Sequence, residues 1–223
     1  MYRLPFNDFA NYASINSSGD TNYYGLGIAA RYDAAGDEKG HFYGDGSVRF
    51  GKTETDFTSN LLDPAGTTAR YDSDANYIGA HFGFGYVKNL NEAADLDIYT
   101  KLLWTRQGSD SITTSTGDPV EFDSTDSLRW KTGLRYGRLA RDDKFRWYIG
   151  AAYEHEFGGD ADATAYGGYA IDAPSLGGGT GIGEIGFTYK KSPTDPFSLD
   201  LNISGYVGQR EGVSGRLEMN WIF

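Results

Sequence analysis

The 223-residue sequence predicts an all-β fold: a transmembrane antiparallel up-and-down β-barrel of about 10–12 strands, with short periplasmic turns and long extracellular loops. Three observations predict it. Apolar and polar residues alternate with a period of two through nine segments, as in strands with one apolar face. The connections between those segments alternate between short and long. Finally, the stretch Gly212-Val-Ser-Gly-Arg-Leu-Glu-Met-Asn-Trp-Ile-Phe223 puts Val213, Leu217, Met219, Trp221 and Phe223 on one parity, with Ser214, Arg216, Glu218 and Asn220 on the other. A soluble strand rarely ends its outer row on Trp and Phe, whereas a membrane barrel sets aromatics where lipid tails meet headgroups.

Composition agrees. Gly 31, Tyr 17 and Phe 13 against Pro 6 and Met 2 suit strands joined by turns. Cys is absent, which removes disulfides, thiol nucleophiles and thiolate metal sites. Mean hydropathy is -0.51 and no run reaches the roughly 18 apolar residues of a membrane helix, but a barrel shows lipid only alternate residues. A net charge of -11 argues against nucleic acid as a partner. The uniform texture predicts a single domain over residues 1–223. Tyr-Arg-Leu-Pro-Phe after Met1 lacks the apolar core of a secretion signal, so export information is expected to have been removed or to lie in a longer chain.

In chain order, residues 1–21 are expected to hold a first strand or a pore segment (Phe6, Phe9, Tyr12), with Ser17–Asp20 as a turn. Tyr24, Leu26, Ile28 and Tyr32 form the first regular outer row, and Asp33–Gly40 turns the chain. Phe42, Val48 and Phe50 follow, then a polar stretch, Lys52–Ser73, expected to be a loop. Ile78, Phe82, Phe84 and Tyr86 lead through Asn89–Asp95 to Leu96, Ile98, Leu102 and Trp104. A second polar loop, Arg106–Asp126, precedes Leu128, Trp130, Leu134 and Tyr136; Arg141–Lys144 turns into Phe145, Trp147, Ile149 and Tyr153. The third long connection, Gly158–Gly181, leads to Ile185, Phe187 and Tyr189; Ser192–Pro196 then turns into Leu199, Leu201, Ile203 and Val207, and Gln209–Gly212 closes the last hairpin. Nine strands and a tenth within residues 1–21 satisfy the even count of bacterial barrels, and all three long connections fall on the side opposite Phe223.

The opposite rows carry the charges. Arg129, Lys131, Arg135, Arg146, Glu154, Glu184, Arg216 and Glu218 cannot face lipid cheaply and are expected to line a polar pore. Gly25, Gly27, Gly79, Gly83, Gly85, Gly133, Gly150 and Gly186 share those rows, leaving space expected to stay wet and pass ions unless residues 1–21 form a plug. An inward Ser204→Arg is accordingly expected to be mild where an outward Ile149→Arg is costly. No catalytic, cofactor or metal site is expected. His155 beside Glu154 and Glu156, with Asp160 and Asp162 nearby, could resemble a rim protease, but charged loops more often carry no chemistry. Gly158–Asp162 is too short for a calcium loop, and Gly177–Gly183 precedes a strand without the Lys-Ser/Thr of a phosphate loop.

The runs LDIYTKLLWTRQGSDSITTSTGDPVEFDSTDSLR (96–129), YIGAAYEHEFGGDADATAYG (148–167), IDAPSLGGGTGIGEIGFTYK (171–190) and SGYVGQREGVSGRLEMNWIF (204–223) resemble the translocator barrel of bacterial autotransporters. That resemblance implies a bacterial outer-membrane barrel, ordinarily of twelve strands around a pore helix, that exports and anchors an amino-terminal passenger polypeptide. It also implies the lipid bilayer and the outer-membrane assembly machinery as partners, with Trp221 and Phe223 in the assembly signal. No residue matches the asparagine at which self-cleaving members cut. The second function class is a non-transporting outer-membrane barrel acting as an anchor or a loop-mediated binding protein.

Overall fold

A computed structural model describes residues 17–59, 68–140, 144–166, 168–171, 175–192 and 195–221. Its strands are β1 (Ser17–Asp33), β2 (Gly40–Ser59), β3 (Ala69–Asn91), β4 (Ala94–Gln107), β5 (Asp110–Thr113), β6 (Pro119–Phe122), β7 (Thr125–Leu139), β8 (Phe145–Glu156), β9 (Ala163–Ala165), β10 (Tyr169–Ile171), β11 (Gly178–Lys190), β12 (Phe197–Gly208) and β13 (Gly212–Trp221). Nine of them make one curled antiparallel sheet in the order β1-β2-β3-β4-β7-β8-β11-β12-β13. These are the nine segments that alternation marks. β1 and β13 are the sheet's edges, and among the described residues no pairing joins them.

The outer face is apolar and uncovered. Leu26, Ile28, Phe82, Ile149, Val207, Val213, Leu217 and Met219 are all at least half exposed. So continuous an apolar surface fits hydrocarbon and would be an aggregation hazard in water. Aromatic pairs gather near the short-turn end: Phe42 with Tyr86 at 4.6 Å between centroids, Tyr136 with Trp147 at 5.7 Å, Phe145 with Tyr189 at 5.0 Å and Phe197 with Trp221 at 6.2 Å. On β8, outward Tyr153 comes eight residues after Phe145, which is ~26 Å along an extended strand. That length is close to the apolar band of outer-membrane barrels, about 25 Å.

Two local expectations are corrected, and a third lies largely outside the described residues. Ser17–Asp20 is not a turn: it pairs with Ser59–Asp56 as the start of β1. A tenth strand is not found among the described residues; residues 1–16, with Phe6, Phe9 and Tyr12, lie outside them. Most of Lys52–Ser73 is not loop either, since β2 and β3 run for 20 and 23 residues and pair from Gly40↔Lys88 to Ser59↔Ala69. A barrel strand needs only about 9–11 residues to cross a bilayer, so this hairpin continues well beyond the apolar band.

The other two long connections build a second sheet, in the order β10-β9-β6-β5. Val120, Glu121 and Phe122 pair with Ala165, Thr164 and Ala163, joining two loops far apart in sequence. This sheet is fastened to the inner side of the tall hairpin. Asp110 accepts hydrogen bonds from the Ser73 hydroxyl and the Asp74 amide, each at 2.8 Å, and the Ser115 amide donates to the Arg70 carbonyl at 2.8 Å. The Phe122 ring packs on Tyr71, with centroids 5.6 Å apart. The two loops therefore form a cap folded toward the inner face.

Substitutions on the two faces test the assignment. Ser204 is inward as expected, but it is 6% exposed and donates to Asn202 at 2.9 Å, so Arg is not tolerated there. Exposed Ser214 on edge strand β13 is the better inward control. Ile149→Arg should cost about 2–4 kcal/mol in reversible unfolding from bilayers, and Ser214→Arg less than about 1 kcal/mol. Equal costs would overturn the assignment.

Candidate functional site

The inner face is built from long polar side chains laid over glycines. In three lateral rows, register places a glycine between two partners: Asp45–Gly83–Lys101 over β2, β3 and β4, Arg135–Gly150–Glu184 over β7, β8 and β11, and Tyr148–Gly186–Asn202 over β8, β11 and β12. Each outer pair meets across the intervening strand. Lys101 Nζ reaches Asp45 at 2.9 and 3.2 Å; Arg135 holds Glu184 through two hydrogen bonds of 3.0 Å; Asn202 Nδ2 donates to the Tyr148 hydroxyl at 3.0 Å. Tyr43 donates to Asp97 over Gly85, and Arg146 donates to Asp95 past Gly137, by the same device. A side chain at the central position would occupy the bridge's own path: a Cβ on Gly150 would sit 2.6 Å from Glu184 Oε1 and 2.8 Å from its Cγ.

This arrangement corrects the expectation that the inward glycines leave open space. The room above Gly83, Gly85, Gly133, Gly150 and Gly186 is filled by Asp45, Tyr43, Tyr99, Glu184 and Tyr148. Of the residues expected to line a pore, Arg135, Arg146, Glu154 and Glu184 join bridges on the inner face. Arg129 points to the same side but stands 3.7 Å from Glu156 and 3.9 Å from Glu154, and Lys131 is beside Glu154 in register. Arg216 and Glu218 pair with each other at 3.3 Å along β13, largely in the open. Trp221 is exposed on the outer row, and Phe223 lies outside the described residues.

Two groups of side chains have the composition of a catalytic site. His155 faces outward against Phe157, with ring centroids 4.6 Å apart, while Glu154 and Glu156 are buried on the opposite face, so no rim acid–base group assembles. Sequence spacing did not reveal a second one: Ser47 Oγ lies 2.6 Å from His81 Nδ1, and His81 Nε2 lies 2.7 Å from Asp45 Oδ2. The order is that of a nucleophile, base and orienter, but Lys101 also neutralises Asp45 and the surrounding strands are paired on both sides. The neighbouring strand amides are in ladder hydrogen bonds, so among the described residues the backbone there offers no oxyanion hole. The cluster is a polar bridge. Among the described residues no group of three or more His, Cys, Asp or Glu could hold a metal ion.

The sheet thus combines a lipid-compatible exterior with a series of charge pairs on its inner face, and the sequence comparison agrees with it. The model of the autotransporter beta-domain family matches residues 7–204. The chain belongs to that family. The transport unit of the autotransporter AIDA-I from Escherichia coli is a similar solved structure, at 13% identity over 94% of this chain and 86% of that one, with a TM-score of 0.49. No curated protein matches by sequence. Autotransporter beta-domains are outer-membrane proteins, and their translocator and anchor role applies to this chain.

Two predictions follow from the site. Gly→Ala in an exposed strand should help by about 0.5–1 kcal/mol, as expected at outward Gly183, where a Cβ meets nothing within 4 Å. Gly150→Ala should instead destabilise by about 1–3 kcal/mol, and in a Glu184→Ala background most of that cost should disappear. Urea midpoints of the four chains measure the cycle; an additive result would mean that glycine is not required under the bridge.

The other prediction concerns how the cap is held. Burial raises the Asp110 carboxyl, but hydrogen bonds from the Asp74 amide, the Ser73 hydroxyl and the Ser111 amide outweigh it and hold the group below the ordinary carboxylate range. The folded carboxyl therefore binds its proton less tightly than the unfolded one. Its hold is complete above the ordinary value and is lost as pH falls through the lower folded value. Asp110→Asn should speed amide exchange in β5 and β6 at neutral pH and leave β8 unchanged.

Proposed function

We propose that this autotransporter beta-domain is the translocator of a longer polypeptide, with the inner face lining the passenger's route and the outer face set in the outer membrane. The observation that supports it most is the separation, along the membrane-spanning parts of the main-sheet strands, of an exposed apolar row from an opposite row that carries the charges. The passenger is expected at the amino-terminal side, and the assembly machinery is expected to read Trp221 and Phe223.

A reporter fused ahead of residue 1 tests both parts. It should become accessible to protease on intact cells, and deleting Phe223 should lower both the heat-modifiable barrel and the displayed reporter. A reporter that stays inside while the barrel assembles normally would favour the second reading, a non-transporting anchor or loop-binding barrel. The cap and the occupied glycine positions are the observations on that side.

A further inference from the structure

We propose that a cavity of about 280 Å³ on the inner face, beside the cap, binds a carboxylate presented by a polypeptide inside the barrel, through Arg49 and Arg129. One lateral row repeats the bridging pattern without completing it. Arg49, Gly79 and Thr105 are register partners on β2, β3 and β4, and the Arg49 side chain lies over Gly79, whose Cβ would come within 2.8 Å of Nε. In the Asp45–Gly83–Lys101 row of the same three strands the third residue is an opposite charge; here it is Thr105. Among the described residues Arg49 has no ion pair, only the Tyr77 ring 5.3 Å away.

Arg129 lines the same cavity and has an independent deficit. Its side chain is 23% exposed, its Nε is fully buried without a hydrogen-bond partner, and its two carboxylate neighbours are at 3.7 and 3.9 Å. Both are committed elsewhere. Glu156 accepts from the Ser127 hydroxyl at 2.5 Å and from the amides of Leu128 and Gly158 at 2.9 and 3.0 Å, while Glu154 accepts from Arg210 at 2.6 Å. A guanidinium with this little solvent and no acceptor nearer than 3.7 Å is under-satisfied, and its accessible end can take a further acceptor from the cavity. Arg49, without an ion pair among the described residues, and Arg129, with no carboxylate nearer than 3.7 Å, line this space together with Arg210 and the engaged Glu154 and Glu156, and guanidinium forks bind an oxyanion bidentately. The cavity opens on the inner face, so a polypeptide side chain can deliver the carboxylate. The proposal rests on the translocator reading only for that source.

Equilibrium binding to the whole chain, folded in detergent and checked by heat modifiability, tests it without requiring export. A labelled polyglutamate peptide should bind and polyglutamine should not. Arg49→Gln and Arg129→Gln should each weaken binding by roughly tenfold or more, while Arg106→Gln, exposed on the outward row of β4, leaves it unchanged. Arg49 is exposed, so its variant keeps the fold even if Arg129→Gln does not. Sulfate should compete with the peptide. Equal binding of both peptides, or no loss with Arg49→Gln, would overturn the site and leave the cavity to water. Sulfate binding without polyglutamate binding would overturn the polypeptide source. Failed reporter display alongside intact, Arg49-dependent binding would count against the translocator reading and not against the site.

Discussion

The curl of the main sheet depends on a steric condition: a polar side chain can reach a partner two strands away only if the residue between them has no side chain. Asp45 and Lys101 meet over Gly83, Arg135 and Glu184 over Gly150, and Tyr148 and Asn202 over Gly186. Each bridge joins the outer two of three strands on the inner face, which favours bending toward that side. It also gives each inward carboxylate a charged or polar partner, at positions where an uncompensated one would be costly. Gly, usually a weak strand former, is here the residue that permits contacts across an intervening strand.

The membrane imposes the complementary condition outside. Hydrocarbon offers no partner for a backbone amide, so the ladder must run unbroken from β1 to β13 and only side chains can vary. Aromatic pairs gather where the strands leave the band at the short-turn end. At the other end polar ladders take over, and the tall β2–β3 hairpin becomes the post to which the cap is tied.

This division explains what was legible in the sequence. Strands inside the band alternate sharply, so Ile149, Leu201 and Met219 could be assigned a face from parity alone. Above the band neither face meets hydrocarbon. Thr53, Glu54, Thr55 and Asp56 therefore look like loop although they pair residue for residue with Ala75, Asp74, Ser73 and Asp72. The cap strands are only three or four residues long, too short for a period to show. Parity also placed Arg135 and Glu184 on the inner side. Their partnership depends on the register of β7 and β11 against β8, and local sequence does not encode that register. Ser47, His81 and Asp45 were missed for the same reason.

The cap's construction has a kinetic consequence. Val120 pairs with Ala165 across a long separation, and the two hairpins that carry them spring from different gaps in the wall, β4 to β7 and β8 to β11. Neither can find the other cheaply until those walls stand, because the entropy of closing so large a loop has to be offset by contacts already made. The cap is therefore the last sheet to assemble, and the outer mouth stays uncovered for as long as the wall takes to build.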